Sequence, residues 1–168
     1  MQIDIDRNNG PESPTDELIL KAADALLERD DVLLPEGRVE VRLCDNEHMI
    51  AMNREYLGEN AITDVLAFEM LEEDPDTTEL LIGSIAVNFE LAQTKATSFA
   101  KEQELNDDRT EQYFQAELLM YILHGLLHFA GYEDDIPAER RNMFDIAAEA
   151  IEKVGGMTIP YDHGGNGK

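Results

Sequence analysis

Hydrophobic and polar residues alternate with period two over residues 2–7 (QIDIDR) and 38–44 (RVEVRLC), and each run predicts a strand. In the second run Val39, Val41 and Leu43 share one face. Residues 63–70 (TDVLAFEM) predict a third strand. Residues 80–87 (LLIGSIAV), nearly continuous in apolar character, predict a buried fourth. Helical periodicity fills the intervals. Ser13 is placed as an N-cap ahead of Pro14, with Asp16 at the third position, and Leu18, Ala22, Ala25 and Leu26 form a stripe running to Glu28. Asp45 caps a second helix that carries Met49, Met52, Asn53 and Tyr56 and stops at Gly58. Asn88 caps a third, over 89–101. A longer helix over 107–130 ends at Gly131, and Pro137 opens a last one that reaches Val154.

Between the third and fourth strands lies only an acidic loop, 71–79 (LEEDPDTTE), which is expected to be mobile. Strands and helices therefore mingle without strict alternation. The expected fold is α+β: a single domain with a mixed four-stranded sheet covered mainly by helices. The helix over 107–130 is apolar on most of its circumference from Phe114 to Phe129, which makes it the expected centre of the molecule. Residues 1–157 form the expected domain, and residues 158–168, ending DHGGNGK, read as a disordered tail.

Composition narrows the class. At 168 residues the chain can bury one substantial core, and its 43% hydrophobic residues include no run near the roughly 20 that a membrane helix needs. The N-terminus lacks the layout of a signal peptide, and Cys44, the one cysteine, excludes an internal disulfide. A cytoplasmic protein without a membrane partner is expected. The 13 Lys+Arg against 37 Asp+Glu give a net charge of −24, which repels a phosphate backbone at long range. Any nucleic-acid contact must be local, and DNA is not an expected partner.

The candidate chemistry sits at the end of the long helix, in LHGLLHFAGYEDD (123–135). His124 and His128, four apart, place two imidazoles on one helix face one turn apart, a spacing that lets both meet one ion. Gly131 favours the left-handed turn that ends a helix, and a sharp turn there returns residue 134 over the same imidazoles. Asp134 is then the third metal ligand, since carboxylate oxygens bind zinc as imidazole nitrogens do. Glu133 and Asp135 are its neighbours and competitors, and spacing favours Asp134. Gly125 stands where a zinc protease carries its glutamate base, which argues against peptide hydrolysis. Neither His48, early in a helix, nor His163, in the tail, is expected to be a ligand.

These residues resemble the YbeY-type endoribonucleases. The family signature, close to HGxLHLxGYDH, is matched by HGLLHFAGYED at His124, Gly125, Leu127, His128, Gly131 and Tyr132. A second stretch, similar to LNxxYRGxxxxTDVLSF, appears as MNREYLGENAITDVLAF, and the family's LGDI strand appears as IGSI. The resemblance covers nearly the whole chain. It implies a metal between the long helix and the sheet, zinc or another divalent transition metal at one per chain. It also implies single-stranded RNA as substrate, association with the small ribosomal subunit, 16S rRNA 3′-end processing and ribosome quality control.

Three positions depart from the pattern. The family's third histidine falls on Asp134, its arginine after the tyrosine on Leu57, and the aspartate of LGDI on Ser84. An anionic ligand leaves the metal a weaker Lewis acid and favours harder ions such as Mn²⁺. Arg54, three residues before Leu57 on the same helix, is the candidate replacement cation, against the alternative of a solvated surface arginine. Asp64 either orients a ligating histidine or ties the loop entering its strand. Tyr132 either positions substrate or packs over the turn. Two functional readings follow: a metal-dependent endoribonuclease, or a ribosome-associated binding factor whose metal is structural or lost. A metallopeptidase is the weaker third.

Overall fold

A computed structural model describes residues 1–161. Strands β1 (Gln2–Asp6), β2 (Arg38–Cys44), β3 (Val65–Glu73) and β4 (Leu80–Asn88) form one sheet in the order β1-β2-β4-β3. β1 and β4 run parallel to β2, and β3 runs antiparallel to β4, so the sheet is mixed. Helices α1 (Asp16–Leu27), α2 (Asn46–Leu57), α3 (Phe89–Glu102), α4 (Asp107–Phe129) and α5 (Pro137–Lys153) complete the described fold. It is the expected α+β domain. Among the described residues no helix is long and apolar enough to cross a membrane.

Strand alternation decides which face each helix covers. Val39, Val41 and Leu43 of β2, with Ile85 and Val87 of β4, join the main core beneath the helices. Cys44, Leu66 and Ala86 point to the other face, where Met49 of α2 closes a smaller cluster. Helix α4 is the axis of the main core, with Leu118, Leu119, Ile122, Leu123, Leu126 and Leu127 all essentially sealed from solvent. Each such side chain contributes roughly 1.5–3 kcal/mol relative to exposure. Burial also silences Cys44, whose thiol is pushed up to about 11.

The boundaries depart most from the sequence expectation at the start of α1 and along β3, which begins at Val65 instead of the expected Thr63. Thr15 caps α1, its hydroxyl accepting from the Leu18 amide at 3.3 Å, so Ser13 lies before the helix instead of capping it. β3 continues to Glu73, through residues assigned to the acidic loop. Ladder pairing of Glu72 with Leu81 and Glu73 with Leu80 outweighs the polarity of the segment, across a bulge at Leu71 with φ 52°. The turn that remains is closed by the Asp74 carboxylate, which accepts from the amides of Asp76 and Thr77 at 2.8 and 3.1 Å.

Part of the expected tail is packed: Ile159 is buried, and the Tyr161 ring lies 5.2 Å from that of Phe144. Residues 162–168, His163 among them, lie outside the described residues.

Candidate metal centre

Two features of α4 build the site. The first is close packing. A Cβ on Gly125 would stand 2.7 Å from Cγ2 of Ile85, so glycine here lets α4 lie directly on β4. The same contact leaves no room for the glutamate of a zinc protease, which gives the expectation against peptide hydrolysis a steric reason. The second feature is the helix end. The Tyr132 amide donates to the Leu127 carbonyl and the Gly131 amide to that of His128, both at 3.0 Å, with Gly131 at φ 85°. This pair of bonds is the Schellman motif, which reverses the chain through a left-handed residue.

The reversal brings the predicted residues together. Nε2 of His124 and Nε2 of His128 are 3.0 Å apart, and an Asp134 carboxylate oxygen lies 3.3 Å from the first and 3.9 Å from the second. Tetrahedral bonds of about 2.0–2.1 Å imply ligand–ligand edges of about 3.3 Å. The three separations bracket that edge. All three groups are partly open, with side-chain exposures of 20%, 29% and 39%. Among the described residues this is the one group of three His, Cys, Asp or Glu side chains able to share an ion. Neither Glu133 nor Asp135 joins it.

Protonation suits a cation. Nδ1 of His128 meets the Tyr132 carbonyl at 3.1 Å; a carbonyl only accepts, so Nδ1 carries the proton and Nε2 presents its lone pair to the cluster. Burial, reinforced by the neighbouring His124, holds His128 below its ordinary imidazole value and so neutral. The hydrogen bond from His124 keeps Asp134 below the usual carboxylate range, against the opposing effect of burial. A neutral His128 ring and an ionised Asp134 carboxylate, with Nε2 of His124 between them, make a donor set that fits a divalent cation.

The other candidates separate from this centre. Arg54 is exposed and donates to Asn60 at 2.6 Å, tying the loop after α2; no described hydrogen bond or ion pair joins it to the cluster. Leu57 is 60% exposed. Ser84 alternates with Gly83 and Ile85, which face α4, and so points to the opposite face, into a groove with Met52, Tyr56 and Phe68. Asp64 accepts from the Val65 amide at 2.9 Å and anchors the entry to β3, while its charge still reaches His128. Tyr132 packs on the core, and its hydroxyl donates to the Asp31 carbonyl at 3.0 Å. His48 pairs with Asp45 at 2.7 Å, at the start of α2.

Sequence reasoning passed over Arg140. Its guanidinium donates to the carbonyl of Asp134 at 2.7 Å and to that of Asp135 at 3.4 Å. The signal was an arginine pair close to the start of α5, where the helix dipole disfavours cations.

Fold and site together define a small α+β protein with a His-His-carboxylate turn at the end of its central helix. Comparison with known proteins makes this more specific. The family described as endoribonuclease YbeY matches residues 3–155, and the chain belongs to that family. The chain is 31% identical over 130 residues to endoribonuclease YbeY of Geobacillus thermodenitrificans, an alignment covering 73% of this chain and 76% of that one. It is 29% identical over 167 residues to endoribonuclease YbeY of Renibacterium salmoninarum, covering 96% and 98%. The fold is shared with a solution structure from Thermotoga maritima at TM-score 0.54 and 22% identity, covering 90% and 91%.

Proposed function

We propose that this chain is a divalent-metal-dependent endoribonuclease acting on single-stranded RNA. The observation that carries the reading is the convergence of His124 Nε2, His128 Nε2 and the Asp134 carboxylate at the edge lengths of a metal tetrahedron. One ion per chain, zinc by the nitrogen and oxygen donor set, would be held by these three residues; the carboxylate also admits harder ions such as Mn²⁺. A bound ion would supply Lewis acidity for phosphodiester hydrolysis.

The protein's own part is to hold and orient. The Tyr132 carbonyl fixes the His128 ring and its tautomer. Partial exposure of the cluster leaves a path for substrate, while the net charge of −24 restricts RNA contact to that locality. Arg54 takes the role of a cation for the RNA backbone beside the loop that it ties. The natural substrate in this reading is the 3′ end of 16S rRNA on the small ribosomal subunit, in cytoplasmic maturation and quality control, with residues 1–157 as the working domain. Family membership supports this assignment.

Leu57, exposed where the resemblance places an arginine, favours a second reading: a ribosome-associated binding factor with a structural metal. Cleavage of a labelled single-stranded RNA by metal-stripped and zinc-restored protein distinguishes the two. The proposal expects cleavage that zinc restores and a chelator abolishes. Stoichiometric zinc without chelator-sensitive cleavage would establish the binding factor instead.

A further inference from the structure

We propose that Arg140 is a positioning residue for the candidate metal centre, holding the backbone that presents the Asp134 carboxylate to the two imidazoles. The inference rests on the reading of His124, His128 and Asp134 as metal ligands.

Residues 132–136 belong to no helix or strand, so their backbone must be fixed by other means. On the upstream side Tyr132 fixes it three times. Its amide donates to Leu127, its carbonyl accepts from His128, and its hydroxyl donates to the Asp31 carbonyl. On the downstream side the corresponding bonds come from Arg140. One terminal nitrogen, Nη1, carries two N–H groups and serves the adjacent carbonyls of Asp134 and Asp135. Arg140 is itself set by α5, where its amide donates to the Ile136 carbonyl at 3.1 Å. A rigid element thus holds the loop through a side chain. Its neighbour Arg141 turns elsewhere, to Asp145 at 3.0 Å and over the Tyr161 ring.

The placement has an electrostatic consequence. A carboxylate as third ligand adds a negative charge that a third imidazole would not, and Arg140 sets a permanent cation beside it. Lysine keeps the charge and puts several N–H donors on a single nitrogen, as the two bonds from Nη1 require. Alanine supplies neither.

The test uses the full chain, stripped of metal, in three forms: wild type, Arg140→Ala and Arg140→Lys. Zinc titration gives affinity and stoichiometry. Cobalt(II) absorption in the visible range reports ligand geometry, which a general loss of stability does not alter. Arg140→Ala is expected to weaken zinc about 10–100-fold, in the range of other groups that orient metal ligands. Its cobalt spectrum should change, while Arg140→Lys recovers most of the affinity. Circular dichroism of the metal-free forms shows whether each variant folds. If Arg140→Ala does not fold, Arg140→Met, which keeps the stem and removes both donors, carries the test with the same expected losses. Unchanged zinc affinity and cobalt spectrum in a folded Arg140→Ala overturn the positioning role and leave the metal centre standing. A folded wild type that binds no zinc overturns the metal centre itself.

Discussion

One stripe of α4 carries two polar centres with opposite fates. Glu117, Tyr121, His124 and His128 follow one another at helical spacing along a single face. At the first end Glu117 is 5% exposed and meets Lys95 of α3 at 3.4 Å, with Lys95 Nζ 5.3 Å from the centre of the Tyr121 ring. Burial raises the Glu117 carboxyl above its ordinary range, against the opposing charge of Lys95, and raises the Tyr121 phenol likewise. At the other end the two histidines and Asp134 remain partly open. Similar polar residues on one helix thus divide between a sealed pair that α3 covers and a cluster that a glycine turn leaves accessible. Position on the helix decides the role: a polar group beneath another helix serves the fold, and one at the helix end faces a possible ligand.

Substitutions at the two centres should therefore separate metal binding from stability. The largest effect is expected at the open end. His128→Ala removes a ligand and should weaken zinc by more than about 100-fold, beyond the range for supporting residues. The metal-free protein should keep its unfolding midpoint within a few degrees, as read by metal titration and thermal melts. Glu117→Ala should do the reverse, costing about 3 kcal/mol by breaking the pair that the buried carboxyl makes with Lys95 and emptying the space it fills, with zinc stoichiometry unchanged. A variant that lost both together would erase the distinction between the centres.

Gly125, between the two, tests the spacing that both share. Gly125→Ala drives a Cβ against Ile85 and should cost about 1–2 kcal/mol in urea unfolding, despite the better helix propensity of alanine. Pairing it with Ile85→Ala should show a coupling that two independent sites lack. The smallest effect is a slope. A buried carboxyl with a raised folded pKa holds its proton where the unfolded chain has released it. Its contribution is therefore greatest below about pH 4.5 and declines as pH rises toward the folded value. The decline is at most about 1.4 kcal/mol per pH unit. Glu117→Gln should flatten it, measured as urea midpoints from pH 4 to 8.

How far the sequence reveals each centre follows from the range of the forces involved. The three side chains that converge at the open end lie within eleven residues, and their arrangement is governed by helical spacing and one left-handed glycine, both local properties. His124, His128 and Asp134 were legible for that reason, as were the mixed sheet and the central helix. The sealed pair was not, because Lys95 and Glu117 meet only when α3 packs on α4. Arg140 lay in plain view, but its use depends on where the turn leaves two carbonyls, which no periodicity states. The extension of β3 to Glu73 escaped notice because ladder pairing with β4 overrode an acidic local composition. Leu57 and Ser84 were visible departures, and the structure sets Ser84 on the sheet face away from α4.

In the proposed function the turn after α4 holds an ion between its two imidazoles and Asp134. Anomalous diffraction at the zinc edge, from crystals of the zinc-loaded protein, tests it most directly. One peak per chain is expected, about 2.0–2.2 Å from His124 Nε2, His128 Nε2 and an Asp134 oxygen. A zinc-loaded crystal with the peak elsewhere, or with Asp134 turned away from it, would overturn the three-residue centre.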